Sequence, residues 1–263
     1  MRQKGCRMRN VSLSTKLLGA CILIFSTLIG SAAMAKSQHL ETPKVIVFDV
    51  NETLLDLEQM RDSVGEALNG QTQLLPLWFS TMLHHSLVST VTNDYHDFGE
   101  IGVAALMMVA SNHQINITKE QAKQAIVPPL LSLPAHPDVK HGLAQLNDKG
   151  FKLVSFTNSS NKGVAAQFKH ADLTKFFSDR YSVEDIKVYK PDLRSYQWLL
   201  KQLNVAPHEA LMVAAHGWDV AGAKAAGMQT AFVARPSKAL YPLATKPDYI
   251  VNDIKELALL LNR

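Results

Sequence analysis

Val45-Ile46-Val47-Phe48-Asp49-Val50, continued by Asn51-Glu52-Thr53-Leu54-Leu55-Asp56, is the stretch that decides the fold. The run over 45–50 follows Pro43 and is apolar except for Asp49. It does not alternate between apolar and polar residues, as a strand with one wet face would. A short continuous run of this kind fits a strand buried on both faces of a parallel sheet. The reading therefore predicts a buried strand with Asp49 at its carboxyl end.

Runs of the same kind recur at 151–156, 210–215 and 230–233, with a shorter one at 249–251. Between them lie stretches with helical spacing at 138–148, closing near Gly150, and at 163–170 and 192–203. A fourth, at 220–226, closes at Gly227. Strands alternating with helices imply right-handed βαβ units, hence an α/β fold with a doubly wound parallel sheet. Ligands of such sheets sit beyond the carboxyl ends of the strands.

The stretch 57–133 breaks the alternation. It carries helical apolar patterns at 60–68, 74–91, 98–109 and 119–131 and no convincing strand. It predicts a helical cap domain inserted after the first strand, with the core domain formed by 36–56 and 134–263. Pro128, Pro129, Pro134 and Pro137 read as the return to the core. The pairs Trp78-Phe79 and Met107-Met108 read as packing of the cap.

The first 35 residues stand apart. Arg2, Lys4, Arg7, Arg9 and Lys16 precede an apolar run over 17–33 that ends in Ala33-Met34-Ala35. This is the pattern of a secretory signal peptide cleaved after Ala35, and it predicts an exported, periplasmic protein without stable membrane association. A membrane anchor is disfavoured by Ser26, Thr27 and Ser31 within the run. Lipidation at Cys21 is disfavoured because the longer apolar stretch follows that cysteine.

Without the leader the charge balance changes. Five of the 27 basic residues and none of the 23 acidic ones lie in it, so 22 basic residues face 23 acidic ones in the remainder. That balance excludes a nucleic-acid partner held by bulk charge and points to a small-molecule substrate. Cys6 and Cys21 are the two cysteines of the chain, and both lie in the leader. A cysteine nucleophile, a cysteine-ligated zinc and a disulfide are thereby excluded from the mature chain. With 47% hydrophobic and 19% charged residues over 263 positions, disorder and coiled coil are excluded too.

The polar residues after the strands form one set. Asp49 and Thr53 follow the first, Thr157-Asn158-Ser159 the second, and His216-Gly217-Trp218-Asp219 the third run, while Lys190-Pro191-Asp192 precedes a helix. A carboxylate at a strand end, kept ionised by a nearby lysine, suits nucleophilic catalysis through an acyl or phosphoryl intermediate. Thr157 and Asn158 offer donors to a substrate anion. Backbone N–H groups around Ser159, read as the N-cap of the next helix, add to them. Thr53 and Tyr196 fit a cap and a packing residue equally well.

In these four segments the chain resembles the haloacid dehalogenase superfamily, and most closely its (S)-2-haloacid dehalogenase branch. FDVNETLLD, FTNSS, VYKPDLRSY and AAHGWDVAGAKAAG stand where that family carries its four motifs, in order. The resemblance implies a Rossmann-like core and Asp49 as the nucleophile attacking C2 of a small 2-halo acid, with Thr53 bonded near it. It implies that Thr157 and Asn158 bind the substrate carboxylate and leaving group, and that Lys190 neutralises the carboxylates. Tyr196 supports the site and Asp219 orients the hydrolytic water. It implies no cofactor and no metal, and relatives that are often homodimers.

Three segments depart from the pattern. Asn51 stands two residues after the nucleophile, where the superfamily's phosphatases carry an acidic proton donor. An amide cannot fill that role, whereas a halide leaves without protonation. Phe79 stands where the dehalogenases carry a halide-binding arginine, and by its position it still borders the substrate. His84 and His85 share its predicted helix but do not line up with it at helical spacing. Ala214, Ala215 and His216 replace the usual Ser and Asn groups. As a neutral imidazole His216 is suited to activate water, and as a donor it is equally suited to support Asp219. The rival functions are a Mg2+-dependent phosphatase and a catalytically quiet periplasmic binding protein.

Overall fold

The computed structural model describes residues 40–262. The leader, its cleavage site and both cysteines lie outside the described residues.

After β1 (Val45–Phe48) come the helices α1 (Arg61–Ala67), α2 (Leu75–Thr92), α3 (Phe98–Asn112) and α4 (Lys119–Leu131). The chain then alternates through α5 (Val139–Asp148), β2 (Lys152–Thr157), α6 (Asn161–His170), β3 (Asp179–Ser182) and α7 (Leu193–Leu203). It closes with β4 (Ala210–Ala214), α8 (Gly217–Ala225), β5 (Gln229–Val233), β6 (Tyr249–Val251) and α9 (Ile254–Leu260). The sheet order is β3-β2-β1-β4-β5-β6. Each neighbouring pair is parallel.

β1 lies in the interior of the sheet, between β2 and β4, with Phe48 opposite Ser155 on one side and Val213 on the other. All four of its residues are buried, as the uninterrupted apolar run requires. The Asp49 amide donates to the Val213 carbonyl at 3.0 Å, so the ladder extends one residue past the strand and fixes the start of the loop. The carboxyl ends of β1, β2 and β4 thus open side by side.

The helices between β1 and α5 pack on one another. Trp78 of α2 is fully buried, and its indole N–H donates to the Gly102 carbonyl of α3 at 2.8 Å. A side chain at Gly102 would meet the Met82 sulfur at 2.9 Å, which is why the two helices approach so closely there. Asp97 caps α3 through Gly99 N at 2.8 Å, and Thr118 and Gln121 cap α4 reciprocally.

Two details of this region differ from expectation. Pro128 and Pro129 lie inside the last turn of α4 rather than at its exit. Pro129 has no N–H for the Ala125 carbonyl, and the Ser63 hydroxyl donates to that carbonyl instead, at 2.9 Å. Met107 and Met108 are 36% and 40% exposed, so this pair lies at the surface and does not pack the interior.

Two elements lie outside the expected strands and helices. β3 is a polar edge strand whose Asp179 and Arg180 are exposed, and α9 packs against α5. Among the described residues, no helix is long and apolar enough to cross a membrane.

Candidate active site

Asp49 is 5% exposed, and both of its oxygens are engaged. Oδ1 accepts from Lys190 Nζ at 3.0 Å. Oδ2 accepts from the Thr53 hydroxyl at 2.7 Å and from His216 Nδ1 at 3.1 Å. Thr53 Oγ1 itself accepts from the Ala215 amide at 2.9 Å, which aims its hydrogen at Asp49. Burial would raise the Asp49 pKa, but the Lys190 ammonium and the His216 ring outweigh it and hold the carboxyl well below the usual range.

Lys190 is 1% exposed, and its three donors are all used. Besides Asp49 they reach Asp219 Oδ2 at 2.7 Å and the Phe156 carbonyl at 2.8 Å. Burial would lower the lysine, yet Asp219 and Asp49 keep it above its ordinary value. Burial, with the Asp49 charge behind it, lifts Asp219 against the pull of Lys190. Of the two carboxylates sharing the lysine, Asp49 is therefore held as the anion more firmly than Asp219.

Tyr196 is fully buried, and its hydroxyl donates to Asp219 Oδ1 at 2.6 Å. Its hydrogen bond is made behind Asp219, so it positions that carboxylate rather than contacting substrate. The Asn158 amide clamps Lys190 by its backbone, accepting from the N–H at 3.0 Å and donating to the carbonyl at 3.4 Å. Thr157 Oγ1 accepts from the Ser159 amide at 3.1 Å. The N-cap of α6 is Ser160, not Ser159, because it is Ser160 Oγ that accepts from Gly163 N. Ser159 instead ties motifs together: its carbonyl accepts from Ser182 Oγ at 2.6 Å and its hydroxyl from Asn51 Nδ2 at 3.2 Å.

Asn51 is held on its other side by Gln167 Nε2 at 2.9 Å. Its amide is therefore fixed between two neighbours and supplies no titrating proton.

His216 occupies a position that the sequence read either as a neutral base or as a donor supporting Asp219. Its Nδ1 faces Asp49 Oδ2 at 3.1 Å and its Nε2 faces Glu52 Oε2 at 2.7 Å. With an acceptor at each nitrogen, both nitrogens carry hydrogen, and the ring is an imidazolium. Burial would lower the ring, but the bonds to Asp49 and Glu52 push it up to about 9. His216 is thus a cation beside the ionised Asp49, a correction to the neutral-imidazole reading. It lies between Phe79 and Trp218, with ring centres 5.9 and 4.9 Å away and interplanar angles of 22° and 23°.

Glu52 and Lys238 complete the group and carry no role in the motif reading. The Lys238 ammonium bonds Glu52 Oε1 and lies 5.9 Å from the centre of the Phe79 ring. Glu52 sits in the turn after Asp49, and Lys238 comes from the loop after β5. The one signal in the sequence was an acidic residue within three positions of Asp49. His84 and His85 meet edge to face, with ring centres 5.1 Å apart. A cavity of about 810 Å3 between α3, α4 and α6 is lined by Ser159 and Gln167 and not by Asp49. The chemistry places the site at Asp49, not there.

The four carboxylate oxygens of Asp49 and Asp219 all accept from lysine, histidine, threonine or tyrosine donors. That arrangement, with two cations against Asp49, does not fit a divalent cation. Among the described residues no group of three His, Cys, Asp or Glu side chains is placed to hold a metal ion.

A buried strand ending in an ionised aspartate, with a lysine from a distant loop closing on it, suits a hydrolase of the α/β class. The model of haloacid dehalogenase-like hydrolases matches residues 43–227, and the chain belongs to that family. It is 29% identical over 196 residues to (S)-2-haloacid dehalogenase 1 of Pseudomonas sp. (strain CBS-3), covering 74% of this chain and 86% of that one. It is 29% identical over 222 residues to (S)-2-haloacid dehalogenase 4A of Burkholderia cepacia, covering 81% and 93%. The L-2-haloacid dehalogenase of Xanthobacter autotrophicus, in a structure with chloropropionic acid covalently bound, superposes with a TM-score of 0.76 at 26% identity. That match covers 83% of this chain and 98% of the other.

Proposed function

We propose that this chain is a hydrolytic dehalogenase of small (S)-2-halo acids that works through an ester at Asp49. The observation that carries the reading is the state of Asp49: buried, ionised, and bonded to Lys190 at 3.0 Å and Thr53 at 2.7 Å. An oxygen of this carboxylate attacks C2 of the substrate, the carbon–halogen bond breaks, and the halide leaves with the bonding pair. Water then attacks Cγ of the resulting ester and returns a 2-hydroxy acid and the free aspartate. A halide needs no proton to leave, and the fixed amide of Asn51 offers none. The Xanthobacter relative, with its covalently bound chloropropionic acid, supports a covalent route. The basic and apolar leader supports export, and we place the reaction in the periplasm.

The test is halide release from (S)-2-chloropropionate in the presence of EDTA, together with its loss in Asp49→Asn. Absence of halide, with EDTA-sensitive phosphate release from an aryl phosphate, would overturn the reading in favour of a Mg2+-dependent phosphatase.

A further inference from the structure

Glu52 has a φ of 62°, in the left-handed region that a non-glycine residue seldom occupies. The turn carries its carboxylate to the edge of the His216 ring opposite Asp49. There Oε2 accepts from Nε2 at 2.7 Å while Oε1 is held by Lys238. The order is Lys238, Glu52, His216, Asp49, with the imidazole held in its plane by Phe79 and Trp218. The other charged groups around it are Lys190, on Asp49 and 5.9 Å from the Trp218 ring, and Arg235, on the Thr53 carbonyl. His136 completes the set, at 3.2 Å from the Glu52 carbonyl.

This order has the parts of a base and its orienting carboxylate, but in the resting site the base is blocked by its own proton. What holds the proton on Nδ1 is the anion at Asp49. Ester formation removes that anion, because one carboxylate oxygen becomes bonded to C2 and the other a carbonyl.

We propose that His216, positioned by Glu52, is the base that hydrolyses the Asp49 ester, and that the charge of Asp49 keeps it idle until the ester has formed. This rests on the dehalogenase reading above. After halide departure, His216 faces one carboxylate instead of two and releases the Nδ1 proton to solvent. Glu52 keeps the hydrogen on Nε2 and so fixes the tautomer. Neutral Nδ1 then takes a proton from water as the water oxygen bonds to Cγ. The tetrahedral intermediate breaks its bond from Cγ to the substrate oxygen, and its hydroxyl proton passes to that oxygen. The products are the 2-hydroxy acid, ionised Asp49 and protonated His216. One halide and one proton leave per water consumed, which balances the reaction.

Rapid mixing of the full chain with excess (S)-2-chloropropionate separates the two halves. His216→Gln is expected to release about one halide per chain in a burst and then to turn over about 100- to 10,000-fold more slowly than the native chain. Acid-quenched protein should carry the ester on the peptide containing Asp49. Glu52→Gln, which keeps a hydrogen-bonding partner but no charge, should retain the burst, slow the steady phase and move the rise of the steady rate to lower pH. A purely structural role for Glu52 would lower burst and steady phase together and leave the pH profile in place.

Unchanged steady turnover in His216→Gln would overturn the proposal, as would loss of the burst along with turnover in a variant whose circular dichroism is native. In either case the dehalogenase reading would survive. A native chain that releases no halide would overturn both.

Discussion

Arg235 grips Asp138 with two nitrogens, Nη1 to Oδ1 at 2.6 Å and Nη2 to Oδ2 at 3.0 Å. The same guanidinium donates to the Thr53 carbonyl from Nε at 3.2 Å and from Nη2 at 3.0 Å. Arg235 and Asp138 are 8% and 7% exposed, and Asp138 also accepts from the amide that starts α9. One buried pair therefore anchors the loop after β1 to α5 and α9. Arg235→Met would leave Asp138 buried without its cation, which costs roughly 3–5 kcal/mol. Urea unfolding should show that loss, and kcat should fall because Thr53 is no longer held by its backbone. Burial would raise Asp138, but the Arg235 bonds hold it below its ordinary value of 3.8. Its contribution is complete above that value and is lost as pH falls below it, so the native chain should lose more stability in acid than Arg235→Met.

Thr53 offers a finer test of the same loop. Its hydroxyl accepts from Ala215 N at 2.9 Å and donates to Asp49 at 2.7 Å, linking the ends of β1 and β4. Valine has the same shape and neither bond. Thr53→Val leaves a buried amide unsatisfied, so stability should drop by about 1–3 kcal/mol. The halide burst should slow as Asp49 loses its aim. A valine variant with native burst kinetics would show that Lys190 and His216 hold the carboxylate unaided.

Where the sequence was legible, the physics was local. β1, β4 and β5 are buried throughout and β2 is buried except for Lys152 at its start, and that burial requires the mainly apolar runs by which they were read. β3 escaped because it is a four-residue edge strand whose exposed Asp179 and Arg180 look like a loop. Asp49 and Asp219 were readable because each comes after the end of a buried strand, and Lys190 because it comes before a helix in the segment VYKPDLRSY. Glu52 and Lys238 were not, because a glutamate in a turn and a lysine after a proline match any solvated loop. Their meaning arises from contacts with His216 and with each other across 164 and 186 positions of chain. The charge of His216 was misread for the same reason, since neither of its carboxylate partners is near it in sequence.

The raised pKa of His216 has a consequence for stability. In the folded chain the ring is pushed up to about 9 from an ordinary 6.5, after burial has been outweighed by Asp49 and Glu52. The folded state therefore binds this proton more tightly than the unfolded state does. Its stabilising contribution is complete below about pH 6.5 and fades as pH rises through about 9. By the linkage relation the total is roughly 3 kcal/mol. Urea midpoints measured from pH 6 to 10 should decline over that window in the native chain and stay nearly flat in His216→Gln. Parallel curves for the two proteins would mean that the imidazole is not protonated in the fold.

Phe79→Arg restores the residue that the resemblance leads one to expect, and the structure argues that it will not help. The Phe79 ring stacks on the His216 imidazolium at 5.9 Å and lies 5.9 Å from the Lys238 ammonium. Both cations accept an aromatic face at that distance. A guanidinium in its place would meet two like charges, each repelling by about 3 kcal/mol at ~5 Å and an effective dielectric constant of ~20. It would also remove a ring that is 7% exposed from the packing around Trp78. The variant should melt at lower temperature, titrate His216 at lower pH and release halide no faster than the native chain. Comparison of kcat/KM and Tm for the two proteins decides the point. An arginine variant with native Tm and higher kcat/KM would mean that the site lacks a halide-binding charge, and that Lys238 and His216 do not supply it.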